Sequence, residues 1–228
     1  MKIQLVVFDM AGTTVRDDDA VNTCLREALA AHVPVSREDV NTVMGLPKPV
    51  AIRDLLQAKA KAGVPVTPEL VNTIHEDFLG RMLRFYRTSP NVEPMPHTLE
   101  AFDQLKQAGV RLALDTGFSR PIANAILERL GWDGDSLLSA TVTSDEVRRG
   151  RPHADLLLRA MELSGVGDPK AVAKVGDTPS DLLEGTAAGC ALVVGVTNGT
   201  HTREQLAVHP HTHLIGSLRE LPALVNGE

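Results

Sequence analysis

Short apolar runs, many of them β-branched, recur along the chain: IQLVVFD (3–9), VRLALDT (110–116), LLSATVT (137–143), AVAKVGD (171–177) and ALVVGVT (191–197). Runs of this length without polar alternation predict strands buried on both faces, as in a parallel sheet. HLIGSL (213–218) is a weaker sixth. Between the runs lie helical patterns at 98–109, 119–131, 153–165 and 178–189, each closing on Gly, the second opening with Ser119 and Pro121. Strands alternating with helices of this size predict an α/β fold with a doubly wound, Rossmann-like parallel sheet.

The alternation stops between residues 17 and 92. Helical patterns at 18–32, 36–44, 49–62 and 67–86 fill that stretch, with no convincing strand. Ser36 and Asp39 fit a capping box, and Thr67-Pro68 fits an N-cap followed by proline. TSPNVEPMP (88–96) reads as the returning linker. The expected organisation is a core of residues 1–16 and 93–228, with an all-helical cap of residues 17–92 inserted after the first strand.

Composition narrows the partners. The 228 residues are 43% hydrophobic, 23% charged and 3% aromatic, with a formal net charge of −6. Few aromatics and a negative balance argue against nucleic acid and against an anionic membrane. Cys24 and Cys190 fit no metal-binding spacing and read as reduced, structural thiols. No leader-like segment is visible, and no apolar run reaches the ~20 residues that span a bilayer. The expected setting is cytoplasmic, the expected partner a small molecule, and an exposed helical cap is a candidate homodimer surface.

In open α/β sheets, sites form outside the carboxyl ends of the strands. There the chain offers Asp9, then Thr116 and Gly117, then Arg151 in RRGRP (148–152), then Asp177 and Asp181. Carboxylates, a hydroxyl beside free N–H groups and a guanidinium together fit a phosphoryl site. Asp9 would attack phosphorus and form an aspartyl phosphate. Asp9 and Asp177 would hold Mg²⁺, which favours hard oxygen ligands. Thr116 and Gly117 would bind the transferring group, and Arg151 would neutralise charge. For any one Asp a helix cap is the simpler explanation; the convergence of all of them on one sheet edge favours the site.

These motifs, in order, resemble the haloacid dehalogenase superfamily: DMAGTT, LDTG, GRP (with Arg151 where Lys is more usual) and VGDTPSD. The resemblance covers nearly the whole chain, the helical insertion included. It implies a Mg²⁺ site at Asp9, Ala11 and Asp177, with Asp181 in support. Most phosphatases of the superfamily carry a second Asp where Ala11 stands, to protonate the departing alkoxide. Ala11 transfers no proton. DxAGTT is instead similar to the phosphonatase branch, whose cap lysine condenses with an aldehyde so that a carbon–phosphorus bond can break to an enamine. MGLPK (44–48) is similar to that branch's lysine segment and supplies Lys48. Lys48 lies between prolines at an expected helix start, where the positive helix end disfavours its ammonium form. Its reference pKa is ~10.4, and it attacks a carbonyl only as the free amine.

The resemblance therefore implies Mg²⁺-dependent hydrolysis of a small phosphonate, phosphonoacetaldehyde-like, with Asp9, Lys48, Thr116 and Arg151 catalytic. Three positions depart from the branch: Ala51 stands for its His, Phe118 for its Tyr and Asp19 for its Cys. His75 and Arg53 are candidates to take over the missing role. Two alternatives follow. One is a phosphatase of the same superfamily acting on a sugar phosphate or a phosphoglycolate-like ester, for which Lys48 is dispensable. The other is a non-catalytic phosphate-binding protein.

Overall fold

The computed structural model describes residues 2–59, 65–134 and 136–227. Its strands are β1 (Leu5–Phe8), β2 (Arg111–Thr116), β3 (Ala140–Thr143), β4 (Val172–Gly176), β5 (Leu192–Val196) and β6 (His213–Ile215). They form one parallel sheet in the order β3-β2-β1-β4-β5-β6. The chain builds outward from β1 to β3 on one side, then crosses to β4 and builds outward on the other. The strand order thus reverses at β1 and β4, and a doubly wound sheet opens its crevice at that switch point.

Between β1 and β2 lie the helices α1 (Ala20–Leu29), α2 (Arg37–Asn41), α3 (Lys48–Lys59), α4 (Pro68–Thr88) and α5 (Thr98–Gln107). The later helices are α6 (Arg120–Leu130), α7 (Asp155–Leu163), α8 (Pro179–Ala188), α9 (Arg203–Ala207) and α10 (Leu221–Asn226). The expected capping devices form: Ser36 and Asp39 cap each other's backbone, and Thr67 accepts from Leu70 N–H. Boundaries shift in places. α2 is shorter than expected, and α3 begins at Lys48 itself. Residues 60–62, expected to end that helix, lie outside the described residues. Short α9 and α10 carry no long apolar period and were not expected. Among the described residues no helix is long and apolar enough to cross a membrane.

Alternate strand residues face opposite sides of the sheet. Val6, Phe8, Leu112, Leu114 and Val175 pack with α1, α3, α4, α5 and α6 residues into one core. Leu5, Val7, Ala113 and Val172 pack with α7 and α8 residues into the other. By the same alternation Asp9, Asp115 and Lys174 fall on the α8 face. One step past the Phe8–Leu114 pair, Asp9 stands beside Asp115.

Candidate active site

The switch point gathers the strand-end residues. Asp9 donates its N–H to the Val175 carbonyl at 2.9 Å, and its carboxylate accepts from Arg151 Nη1 at 2.6 Å. Thr14 Oγ1 returns to the Asp9 carbonyl at 2.8 Å and fixes the turn. Asp177 accepts from Thr13 Oγ1 at 2.9 Å and from Thr200 N–H at 2.7 Å. Thr178 caps α8, where Asp181 completes a capping box. Thr116 Oγ1 accepts from Phe118 N–H at 3.1 Å.

Asp9, Asp177 and Asp181 each offer a carboxylate oxygen within 4.8 Å of the others. Ala11 has only its main chain to offer a metal. Burial raises the Asp9 carboxyl to about 7 against the pull of Arg151, with Asp181 and Asp177 adding to the rise. Burial and Asp181 raise Asp177 to about 6. Crowded hard oxygens that resist ionisation suit a small divalent cation, whose charge favours the carboxylates. The donor set fits Mg²⁺.

Behind Asp9 lies a network that the apolar pattern of β4 concealed. The Arg151 side chain is wholly buried and pairs with Asp9, Asp115, Asp181 and Glu184. Lys174, also wholly buried, pairs with Asp115, with Asp181 at 3.2 Å and with Glu184 at 3.0 Å. Arg151 and Lys174 outweigh burial and hold the Asp115 carboxyl below its usual range. Burial and Asp115 push Glu184 up to about 8. Asp115 thus belongs beneath the site as a paired anchor for Arg151. Arg151, expected to meet the phosphate, is engaged with this protein's own carboxylates and reaches the reaction centre through Asp9. Lys174 and Glu184 were missed. The available signal was one lysine inside an apolar strand run, because a lysine buried on a two-sided strand needs carboxylate partners.

On the opposite side Lys48, 4% exposed at the first position of α3, faces the same small cavity as Asp9, Ala11, Thr116, Gly117 and Arg151. Its polar contact is the Leu46 carbonyl at 3.4 Å, and its ammonium lies 5.3 Å from the Phe118 ring centroid. Among the described residues it forms no ion pair. Burial lowers it to about 8, although Asp9 and Asp17 pull the other way. Tyr86 of α4 meets the Phe118 ring edge-on at 6.1 Å. Its buried hydroxyl has no hydrogen-bond partner among the described residues. Ala51 is fully buried. His75 and Arg53 line a neighbouring cleft of about 500 Å³, with Leu46 and Pro47 in its wall and Arg151 shared with the Asp9–Lys48 cavity.

The cavity between these halves holds only about 20 Å³, roughly a water's worth. The Met44–Pro47 segment closes it. A Cβ on Gly117 would stand 2.8 Å from the carbonyl oxygens of Gly45 and Leu46. One on Gly45, whose φ is +82°, would stand 2.4 Å from Thr178 Oγ1. Ser180 Oγ donates to the Met44 carbonyl at 3.3 Å. The glycines permit a backbone-to-backbone seam here.

The model of the haloacid dehalogenase-like hydrolases matches residues 3–189. The chain belongs to that family. Among relatives of this hydrolase is the phosphonoacetaldehyde hydrolase of Lysinibacillus sphaericus, 31% identical over 212 residues, covering 88% of this chain and 77% of that one. The enzyme of that name from Bordetella pertussis is 31% identical over 198 residues, covering 83% and 71%. In fold the hydrolase is similar to a phosphonoacetaldehyde hydrolase-like protein from Oleispira antarctica, with a TM-score of 0.88, 22% identity, and coverage of 100% and 92%.

Proposed function

We propose that this hydrolase cleaves the carbon–phosphorus bond of a small phosphonate bearing a carbonyl, phosphonoacetaldehyde or a close analogue. The observation that carries this reading is Lys48: buried, without an ion pair among the described residues, and lining the cavity that Asp9 and Ala11 also line. The reading divides the chain into a core of residues 1–16 and 93–228 and a cap of residues 17–92 that brings Lys48 to the core. A lysine held near pKa 8 supplies free amine at neutral pH, and its condensation with the carbonyl yields an iminium. When the carbon–phosphorus bond breaks, the electron pair moves toward that nitrogen as an enamine, so no bare carbanion forms and no acid is needed at position 11. Asp9 takes the phosphoryl group, and water then releases phosphate. Thr116 and the Gly117 N–H are the donors for the phosphoryl oxygens, and Arg151 keeps the free Asp9 oxygen aimed at phosphorus. Asp9, Ala11 and Asp177, supported by Asp181, would hold Mg²⁺, which neutralises and aligns phosphoryl oxygens when bound. The closed seam excludes water while the reactive groups meet.

The test mixes the protein with phosphonoacetaldehyde, Mg²⁺ and borohydride, and follows phosphate release in parallel. The expected result is a reduced adduct on Lys48, and loss of both adduct and release in Lys48→Ala. Absence of adduct from the wild type, with phosphate released from phosphomonoesters by wild type and Lys48→Ala alike, overturns it. The apolar Ala51 and Phe118, where phosphonatases carry His and Tyr, favour that second reading of a phosphomonoesterase.

A further inference from the structure

Resting on the lysine-imine reading, the geometry points to Asp17 as the group that carries protons between Lys48 and the substrate carbonyl oxygen during imine formation. The site lacks an acid at both Ala11 and Ala51.

Asp17 lies where the chain leaves the sheet for α1, in the run Asp17-Asp18-Asp19. The three acids are not equivalent. Asp18 pairs with Arg16 at 3.4 Å, and Asp19 with Arg37 at 2.8 Å. Both adopt left-handed backbone, with φ of 47° and 63°, a conformation that is costly for a residue with a Cβ. This bend leaves Asp17 half-buried and without an ion pair among the described residues. Its Oδ1 accepts from the Val21 N–H at 3.2 Å. Val21 itself lines the Asp9–Lys48 cavity. Asp17 lines an adjoining cavity of about 390 Å³ that shares Met44 and Thr200 with the first. The carboxylate thus has one oxygen tied to the backbone and the other without a hydrogen bond among the described residues, in the cavity that adjoins the reaction cavity.

Its surroundings agree. The groups whose charge reaches Asp17 are Asp18 and Asp19 on its own segment and Lys48 from α3. Burial lifts its carboxyl to about 6, with Asp19 adding to the rise and the Val21 N–H opposing it. Asp17 in turn acts on Lys48, on the Cys24 thiol and on the orphaned Tyr86 hydroxyl. A carboxylate titrating below a neighbouring amine is matched for exchanging protons with it.

The step balances. The Asp17 carboxylate takes a proton from the Lys48 ammonium, and the free amine bonds to the carbonyl carbon. Asp17 gives its proton to the resulting alkoxide, takes a second from the nitrogen, and gives that to the hydroxyl. The carbon–oxygen bond breaks and water leaves. The products are the Lys48 iminium, one water and the Asp17 carboxylate as it began.

Asp17 also accepts from the Val21 N–H in the first turn of α1, whose N-cap is Asp19, so the test must separate the two roles. Asn accepts such a bond as well as Asp. Asp17→Asn keeps the Val21 contact and removes only the titrating group. Borohydride trapping of the Lys48 adduct is timed with phosphonoacetaldehyde from pH 5 to 9, and Mg²⁺-dependent phosphorylation of Asp9 by acetyl phosphate, which needs no imine, is the control. Expected are trapping slowed by about 100-fold or more, loss of the wild-type inflection near pH 6, and an unchanged acetyl phosphate reaction. Trapping by Asp17→Asn at wild-type rate with the inflection intact overturns the inference and leaves the lysine reading standing. Loss of trapping and acetyl phosphate reaction together marks Asp17 as structural and also overturns it. Absence of adduct from the wild type overturns the lysine reading itself.

Discussion

Lys174 and Lys48 are both buried lysines beside one site, and their environments drive them in opposite directions. Lys174 sits among Asp115, Asp181 and Glu184, whose charges outweigh its burial and raise its pKa above the ordinary value. Lys48 has a carbonyl and an aromatic face, and burial takes it down to about 8. Residue type therefore says little about role; counter-ions decide whether a buried amine is a fixed cation or a base. The Asp9 side of the site is a closed ionic lattice, and the Lys48 side is apolar with one amine that forms no ion pair among the described residues.

The largest expected effect tests the division of labour. Asp9→Asn removes the attacking oxygen, and phosphate release from any substrate falls by about 10⁴-fold or more. Lys48→Ala gives a similar loss on a carbonyl phosphonate but leaves the charging of Asp9 by acetyl phosphate intact. Equal loss in both assays for Lys48→Ala would dissolve the comparison, because Lys48 would then serve the phosphoryl half.

Stability should separate the two lysines by sign. Lys174→Met strips the cation from three buried carboxylates and is expected to destabilise the fold by about 3–5 kcal/mol in urea denaturation. Lys48→Met replaces an unpaired buried amine with an apolar chain of similar length, and stability at pH 7 rises. A loss in both variants would show that Lys48 too is held by ionic contacts.

How much of this was legible in the sequence follows from the same contrast. Asp9, Thr116 and Asp177 were legible because parallel strands are short apolar runs that end in polar residues, and Arg151 because it stands in the RRGRP loop after β3. Lys48 had a helix start, flanking prolines and a resemblance to support it. Lys174 was passed over because five apolar or small neighbours drown one polar position when a strand is read as a run. Its alternation with Val172, not its neighbours, puts it on the α8 face. Glu184 hides in a helix where an acid is unremarkable until the face it occupies is known. Tyr86 lies in no motif, about thirty residues before LDTG in sequence, and reaches Phe118 only through the fold of α4. Helices α9 and α10 are one or two turns long and rest on caps and tertiary packing, which periodicity does not detect.

A pH titration sharpens the contrast further. The folded-state pKa of Lys48 is about 8, while an unfolded lysine titrates near ~10.4. Between those values the unfolded chain binds more protons at this residue, so its contribution to stability rises with pH. Below pH 8 the full penalty of holding it in the fold applies, about 3 kcal/mol as an upper figure. Lys174 behaves in reverse: its raised pKa keeps it charged throughout that window. The wild-type minus Lys48→Met difference in unfolding free energy should therefore climb from pH 8 to 10 and be flat from 6 to 7. The rate of adduct trapping should climb through the same pKa, since only the amine attacks. A flat difference across the whole range would mean that Lys48 stays protonated in the fold.

The smallest expected effect concerns the seam that lets the two halves meet. Gly117→Ala would put a methyl carbon 2.8 Å from two carbonyl oxygens of the Gly45–Leu46 segment. A methyl forced into a packed interior costs about 1–3 kcal/mol when nothing yields. Here the opposing atoms belong to a segment that must withdraw to admit substrate, since about 20 Å³ of free volume accepts none. The strain is then relieved by opening, and the cost falls on closure, not on folding. The urea midpoint should barely move, while kcat drops by roughly ten-fold, the factor that about 1.4 kcal/mol against the closed state produces. Lys48 trapping should slow in proportion, because the segment must settle back over bound substrate to bring the amine to the carbonyl. A full loss of stability with unchanged kcat per folded molecule would instead mean that Gly117 is a packing position of a rigid interface, and that substrate enters by another route.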